Sequence, residues 1–185
     1  MHRFVLLPAT FALLLAAACV TRAEDPTNGS AHASPEADTH MRTGSAAYDL
    51  VRRDGGNATS LDFSFTNPLD ETIYVVNCRG GLAVALERWS GQAWERAWTP
   101  VLLQCLSPPI EIAAGETFRS TVDVWGSDPG RDHLPEFTVS PVEGSYRLVW
   151  DNLVLRWRGD YVDGAFGDAV PLEFRVSNSF ELRRR

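Results

Sequence analysis

The sequence predicts an all-β sandwich that forms a single domain with one disulfide. Three observations lead to this prediction: short runs in which apolar and polar residues alternate, turn residues between these runs, and two cysteines in the same region. Alternation with a period of two is typical of half-buried strands. Short strands at near-regular spacing, separated by turns, favour a sandwich or a barrel. Residues 48–182 suffice for one hydrophobic core of ordinary size.

Five alternating runs predict five of the strands. Their apolar positions are Leu61, Phe63 and Phe65; Leu82, Val84 and Leu86; Phe118, Val122 and Val124; Tyr146, Leu148 and Trp150; and Leu172, Phe174 and Val176. Glycine, proline, asparagine and aspartate mark the turns between them. The turn segments are Asp54-Gly55-Gly56-Asn57, Asn67-Pro68-Leu69-Asp70, Gly91-Gln92, Ala114-Gly115, Asp128-Pro129-Gly130 and Glu143-Gly144.

A β-hairpin is predicted over residues 83–98. Gly91-Gln92 fits a two-residue turn with glycine at its first central position. The resulting register pairs Ser90 with Ala93, Trp89 with Trp94, Arg88 with Glu95, Glu87 with Arg96, and Leu86 with Ala97. An aromatic pair and two opposite-charge pairs therefore coincide, and each such pair stabilises a hairpin by roughly 0.2–1 kcal/mol.

This register also divides the hairpin side chains between two faces. Val84 and Leu86 are predicted to point into the core, whereas Trp89, Trp94 and Trp98 are predicted to form a stripe on the opposite face. Exposed aromatic side chains often mark binding surfaces, so these three tryptophans are the candidate binding residues. The alternative is that they close the ends of the sandwich, because tryptophan is usually well buried.

The N-terminus has the layout of an export signal. A basic start and a short apolar run predict a signal peptide over residues 1–18, and Leu15-Ala16-Ala17-Ala18-Cys19 looks like a lipobox, which implies lipidation of Cys19. The alternative is ordinary cleavage after Ala18 or Ala23. Residues 19–46, rich in small and polar residues, are predicted to be a flexible tether, followed by the sandwich domain over residues 47–185. Val20 stands where an aspartate would be the inner-membrane retention signal. In a Gram-negative host we therefore expect an outer-membrane lipoprotein facing the periplasm or the cell surface.

The three cysteines fit this interpretation. Lipidation of Cys19 leaves Cys78 and Cys105, which an oxidising compartment would join in a disulfide. Two alternatives remain, namely two buried free thiols or a zinc site. Two cysteines without a CxxC spacing or nearby histidines provide too few zinc ligands.

One detail favours an immunoglobulin-like, antiparallel sandwich. Tyr146 follows a turn at Gly144, at the start of a late strand, which resembles a tyrosine corner. In that motif the tyrosine hydroxyl binds back to the backbone a few residues upstream. Cys78 and Cys105 do not occupy the positions of the antibody-domain disulfide.

Several motifs together resemble those of bacterial secreted immunoglobulin-like domains. They are Phe65-Thr66-Asn67-Pro68, Leu86-Glu87-Arg88-Trp89 with Trp94, Ile112-Ala113-Ala114-Gly115-Glu116, and Gly144-Ser145-Tyr146-Arg147. In plan the chain is similar to BsuPI-type proteinase inhibitors over about residues 60–150. The resemblance implies a sandwich fold and, as one alternative function, proteinase inhibition, without assigning an inhibitory loop to any residue.

Few residues suit catalysis, so no catalytic residue is predicted and the chain is not expected to be an enzyme. His133 is the one histidine of the predicted domain, and no nucleophile elbow, phosphate loop or HExxH motif occurs. Carboxylates cluster in two loops, at Asp128, Asp132 and Glu136 and at Asp160, Asp163 and Asp168. Such loops can hold calcium, although neither has EF-hand spacing and solvated loop charge is the default reading.

The predicted function is a non-enzymatic cell-envelope module that binds a protein or a cell-wall polymer. The alternatives are a proteinase inhibitor and a calcium-dependent carbohydrate-binding module. The formal net charge of −7 argues against nucleic acid as a partner. No cofactor and no resident metal are predicted.

Overall fold

The computed structural model describes residues 39–103, 105–131, 133–157 and 167–184. Within these ranges lie eleven strands and a 3₁₀ helix. The strands are β1 (Met41–Thr43), β2 (Ala47–Arg53), β3 (Gly56–Thr66), β4 (Ile73–Asn77), β5 (Val84–Trp89), β6 (Trp94–Trp98), β7 (Ser107–Ile112), β8 (Thr117–Ser127), β9 (Gly144–Trp150), β10 (Leu153–Val154) and β11 (Phe180–Arg184). The 3₁₀ helix spans Leu172–Phe174. No helix within the described ranges is long and apolar enough to span a lipid bilayer.

The strands form two sheets that pack as a sandwich. The larger sheet has eight strands in the order β1-β3-β2-β11-β9-β5-β6, and β8 pairs with β3 along the side that β1 and β2 leave free. The smaller sheet has the order β10-β4-β7. The prediction of an all-β sandwich with one disulfide is confirmed.

One pair departs from the predicted antiparallel arrangement. β11 runs parallel to β2, with Glu181 opposite Ala47 and Arg184 opposite Leu50. Antiparallel neighbours are fixed locally where a tight turn joins them. β2 and β11 lie at opposite ends of the domain sequence, so no turn sets their relative direction.

The core fills with the alternating residues that the sequence predicted as strand positions. Trp150 lies at its centre, fully buried, with its ring edge-on to Phe63 and Phe65 and tilted against Phe118. Aromatic side chains bury more area than any other residue type and dominate core energetics. This cluster joins the β3–β8 pair to β9.

The N-terminal boundary of the domain needs a correction. Residues 41–43 were predicted to belong to the tether, but they form β1 and pair with the end of β3. Met41 is fully buried in the core. A three-residue strand is too short to show alternation in the sequence, and its pairing with Phe65 decides its structure. Residues 19–38 of the predicted tether lie outside the described residues.

The predicted tyrosine corner is present. The Tyr146 hydroxyl donates a hydrogen bond to the Val142 carbonyl at 2.5 Å, and the side chain is fully buried. Burial raises the pKa of the Tyr146 phenol above its ordinary value. The phenol therefore stays protonated and serves as a donor that fixes the entry into β9.

The Asn67 motif of the family resemblance has a structural role. Asn67 is buried, and its Nδ2 donates to the carbonyls of Glu71, Ile112 and Ala113 at 2.8, 3.0 and 3.1 Å. The backbone N–H of Asn67 also donates to the Glu116 carbonyl at 3.0 Å. These bonds tie the turn after β3 to the turn between β7 and β8, because a buried amide must have its hydrogen-bonding groups satisfied.

The strand predicted at residues 172–176 is wrong. Leu172 and Phe174 lie in the 3₁₀ helix, and Val176 makes only an isolated bridge to Val149. The Arg175 guanidinium donates to the carbonyls of Val170 and Trp150 at 2.8 and 3.1 Å. Alternation in the sequence gives no information on such hydrogen bonds from a side chain to the backbone. These bonds hold the segment in a turn.

Candidate functional site

The β5–β6 hairpin has the predicted register near its turn. Trp89 lies opposite Trp94, Arg88 opposite Glu95 and Glu87 opposite Arg96. The Ser90 amide donates to the Ala93 carbonyl at 2.9 Å, which closes the two-residue turn. Gly91 has a φ of 97°, the left-handed value that glycine adopts at little cost.

Further from the turn, the predicted register fails. The ladder shifts between Leu86 and Glu87, so Leu86 lies opposite Trp98 and not opposite Ala97. This β-bulge brings Trp98 onto the core side, where Val84 and Leu86 are buried as predicted. The extra residue of the bulge moves the Trp98 side chain to the opposite face of the sheet from the one predicted.

Trp98 therefore does not belong to the exposed stripe. It is 3% exposed and its Nε1 donates to the Trp125 carbonyl of β8 at 2.9 Å. Ala97 next to it is fully buried as well. The predicted stripe of three tryptophans therefore contains only Trp89 and Trp94, because the bulge turns the Trp98 side chain into the core.

Trp89 and Trp94 lie together on the outer face of the hairpin. Trp89 is 41% exposed and Trp94 is half-buried, with ring centroids 5.5 Å apart and planes at 55°. On β9, the Arg147 guanidinium carbon lies 4.8 Å from the Trp94 ring centroid. This distance is within the range of a cation–π interaction.

An ion-pair network continues along the same face. Glu87 Oε2 accepts hydrogen bonds from Nε and Nη2 of Arg147 at 2.9 and 2.7 Å. Arg96 donates to both carboxylate oxygens of Asp151 at 2.7 and 3.0 Å, and Arg175 lies 3.7 Å from Asp151. Paired geometry of this kind orients both partners.

We call this surface the tryptophan–arginine face and define it by the residues Glu87, Trp89, Trp94, Arg96, Arg147 and Asp151. Three neighbouring strands, β6, β5 and β9, supply five of these residues, and Asp151 follows directly after β9. Arg147 lies opposite Glu87 across the β5–β9 pair. Arg147 was not among the predicted site residues. Its alternation with Tyr146 and Leu148 is a signal for the outer face, but the pairing of β5 with β9 is not predictable from the sequence.

A second exposed feature is the segment between β6 and β7. Val101, Leu103 and Leu106 are 51%, 73% and 72% exposed. The predicted disulfide between Cys78 and Cys105 is present and ties this segment to the end of β4. We call residues 99–106 the leucine loop. Exposed aliphatic side chains concentrated in one loop are unusual unless they meet a partner.

In the first carboxylate loop, Asp128 is already paired with residues of the same domain. Arg52 donates to both oxygens of Asp128 at 2.8–3.0 Å, and Asn57 Nδ2 donates to Asp128 at 2.9 Å. Hydrogen bonds from Arg52 and then from Asn57 lower the pKa of Asp128 to about 2. Asp132 lies outside the described residues. A carboxylate whose oxygens are already used by a guanidinium does not favour a calcium site here.

The second carboxylate loop falls mostly on residues 158–166, so Asp160 and Asp163 lie outside the described residues. Asp168 is described and exposed. In the part of the chain that the structure describes, no three histidine, cysteine, aspartate or glutamate side chains are grouped closely enough to hold a metal ion. The candidate functional site is the tryptophan–arginine face.

His133 shows no arrangement that would favour catalysis. It is exposed, and its backbone carbonyl accepts a hydrogen bond from Ser127 Oγ at 2.7 Å. That bond directs the Ser127 hydroxyl to the backbone and not to the imidazole, whereas a nucleophile and its base must be hydrogen-bonded to each other.

Comparison with known proteins finds no family model and no curated protein that matches the chain. The two packed sheets and the disulfide define the class of protein as a disulfide-bonded, all-β sandwich domain. Its function is therefore argued from the surfaces themselves, since many unrelated functions share one fold.

Proposed function

We propose that this chain is a non-enzymatic module of the cell envelope that binds a protein partner through the tryptophan–arginine face. In this proposal the chain is exported, and Cys19 carries a lipid that anchors it to the outer membrane. The observation that carries the binding function is the outward-facing pair of Trp89 and Trp94, with Arg147 over the second ring.

The composition of the face supports a protein partner over other ligands. Tryptophan and arginine are enriched among residues that contribute most to protein–protein affinity. The indoles lie tilted by 55° to each other, so they do not form one flat platform on which sugar rings would stack in series. The face thus combines a partly exposed apolar centre with a polar surround, as interfaces do.

The ion pairs also support binding at this face. Glu87 and Arg147 are only 15% and 20% exposed in their side chains, and each already has its partner within the domain. A partner that covers the face then buries charges that are paired and not free, which lowers the cost of desolvation. The pairs also hold Arg147 in place over Trp94 before binding.

The Cys78–Cys105 disulfide supports export. Disulfides persist in oxidising compartments such as the periplasm and are rare in the cytosol. The lipobox-like sequence before Cys19 supports lipidation of this residue and thereby the membrane anchor.

Photo-crosslinking in living cells tests this function. We expect a benzophenone amino acid at position 89 to give one discrete protein adduct, because Trp89 lies at the exposed end of the face. The matched control places the same group at Val51, which is 52% exposed on β2 and distant in the sheet order from β5. The measurement is immunoblotting of the chain followed by mass spectrometry of the adduct.

Position 89 should give the adduct and position 51 should not. Equal adducts at both positions, or none at position 89, would contradict binding at this face. A heterogeneous adduct that a peptidoglycan hydrolase removes would instead show a cell-wall polymer as the ligand.

A second candidate function, proteinase inhibition, is favoured by the leucine loop. An inhibitor presents an exposed, restrained segment to a protease active site. Leu103 and Leu106 are strongly exposed, and the neighbouring Cys105 is covalently joined to Cys78. A restrained loop loses less conformational entropy when it binds.

Titration against a panel of proteases tests this second function. If the loop is inhibitory, we expect stoichiometric loss of protease activity, and Leu103→Asp should weaken the inhibition by at least about tenfold, because it places a charge where an apolar pocket would receive the leucine. Leu134→Asp, at a residue 75% exposed in another loop, is the control. Cleavage of the chain without inhibition would exclude this function for the tested proteases.

A further inference from the structure

One edge of β8 is open over residues 119–123, where no described residue hydrogen-bonds to the backbone groups that face away from β3. The strand is eleven residues long and pairs only with β3 among the described strands. Near its end, the Ser127 amide donates to the Pro135 carbonyl and the Ser127 carbonyl accepts from the Phe137 amide, both at 3.0 Å. Ser127 thus directs its backbone groups away from β3.

This orientation fixes the direction of the other backbone groups. In a strand, successive residues direct their N–H and C=O groups to opposite sides. The Trp125 carbonyl also faces away from β3, because it accepts the Trp98 indole hydrogen bond. The backbone groups of Arg119, Thr121 and Asp123 therefore face the open edge as well, and none has a hydrogen-bond partner among the described residues.

The side chains along this edge are self-complementary. Arg119, Thr121 and Asp123 are all exposed and lie on the same face of the strand. Asp123 accepts a hydrogen bond from Ser60 Oγ at 2.5 Å through one oxygen, and Thr121 donates to Asp62 at 2.6 Å. A positive charge and a negative charge thus stand two residues to either side of a central threonine.

We propose that β8 pairs with β8 of a second copy of this chain, antiparallel and centred on Thr121. A two-fold axis through the pair of Thr121 residues places Arg119 of each copy opposite Asp123 of the other. Opposite charges directly across an antiparallel pair are stabilising. The three residues that face the edge then exchange backbone hydrogen bonds with their counterparts, and the two large sheets become continuous.

The charges select this register over its neighbours. A two-fold axis at Ser120 would place Arg119 opposite Thr121, and one at Val122 would place Asp123 opposite Thr121. Only the register centred on Thr121 pairs both charges. On the inner side it also places Phe118 opposite Val124, and cross-strand pairs of an aromatic and a β-branched residue are favourable.

The surrounding structure limits the length of the contact. Beyond residue 124 the edge is covered, since the Trp98 indole donates to the Trp125 carbonyl and the Phe137 amide donates to the Ser127 carbonyl. The open stretch is therefore short, and a small interface gives a weak association. We expect a dimer that dissociates on dilution.

Charge reversal tests the pairing. Sedimentation equilibrium of the full-length chain should show a monomer–dimer equilibrium. Arg119→Asp alone and Asp123→Arg alone should each weaken the dimer by about tenfold or more, because each places like charges opposite each other at two positions. An equimolar mixture of the two variants should dimerise again, since every pair across that interface is then of opposite charge.

A cysteine at the axis gives a second, independent measurement. Residues that form a hydrogen-bonded antiparallel pair have Cα atoms about 5.5 Å apart, within the range of a disulfide. Thr121→Cys should therefore yield a covalent dimer on mild oxidation. Ser60→Cys is the control, because it is exposed on β3, one strand further from the axis, and retains the same native cysteines.

Restoration in the mixture together with a cross-link at position 121 and not at position 60 would support the proposal. A chain that remains monomeric at the highest soluble concentration would overturn it and leave the edge free for an extended peptide of another protein. Single reversals that leave the dimer unchanged would overturn it too, since the copies would then meet elsewhere.

Discussion

Replacement of Trp150 by alanine is expected to lower the free energy of unfolding by about 3–5 kcal/mol. The indole is fully buried, with ring centroids 5.3, 5.6 and 5.4 Å from those of Phe63, Phe65 and Phe118. Its removal leaves a cavity at the point where β3, β8 and β9 meet, and three other rings lose their contacts. Urea unfolding followed by far-ultraviolet circular dichroism measures the loss.

Trp89→Ala is the matched control for this prediction. It removes the same side chain from a site that is 41% exposed, where the ring contact with Trp94 is lost. We expect a loss of no more than about 1.5 kcal/mol, the upper value for an aromatic pair. Similar losses for the two variants would mean that the tryptophan–arginine face is part of the core and not a binding surface.

Loss of the disulfide is expected to have an effect of comparable size. The double variant Cys78→Ala with Cys105→Ala should unfold with a free energy lower by about 3.5 kcal/mol in the chain-entropy model, given a sequence separation of 27 residues. The bond restricts the unfolded chain, so its loss stabilises the unfolded state. The measurement is the urea midpoint at equal slope, compared between variant and wild type.

A reductant distinguishes the stability that the covalent bond contributes from the stability that the cysteine side chains contribute by packing. Dithiothreitol should move the unfolding curve of the wild type to that of the double variant and leave the variant unchanged. A variant as stable as the oxidised wild type would contradict the prediction. A reduced wild type that stays more stable than the variant would assign part of the loss to packing at Cys78, which is only 5% exposed.

The sequence by itself determined the features that depend on neighbours along the chain. Alternation identified the core strands around Phe63 and Trp150, and glycine at position 91 set the hairpin turn. From that turn the register followed as far as Glu87 opposite Arg96, because each pair is fixed by the one before it. Tyr146 was recognised in the same way, from the turn directly before it.

The composition of the tryptophan–arginine face was only partly predictable from the sequence. The sequence placed Trp89 and Trp94 side by side, since both lie next to the turn. It could not place Arg147 over Trp94, because the contact requires β9 to pair with β5 across a long stretch of chain. No pattern within a single strand encodes its neighbour in the sheet.

Only the tertiary structure decided the features that depend on distant contacts. Trp98 turned inward because a bulge presents it to the core, where the Trp125 carbonyl accepts its indole hydrogen bond. Met41 joined the core through pairing with Phe65, and Leu172 became part of a 3₁₀ helix and not of a strand. The alternation of apolar and polar residues predicts the burial that each side chain would have in a regular strand. Bulges, short strands and bonds from side chains to backbone form where packing between remote segments outweighs that local preference.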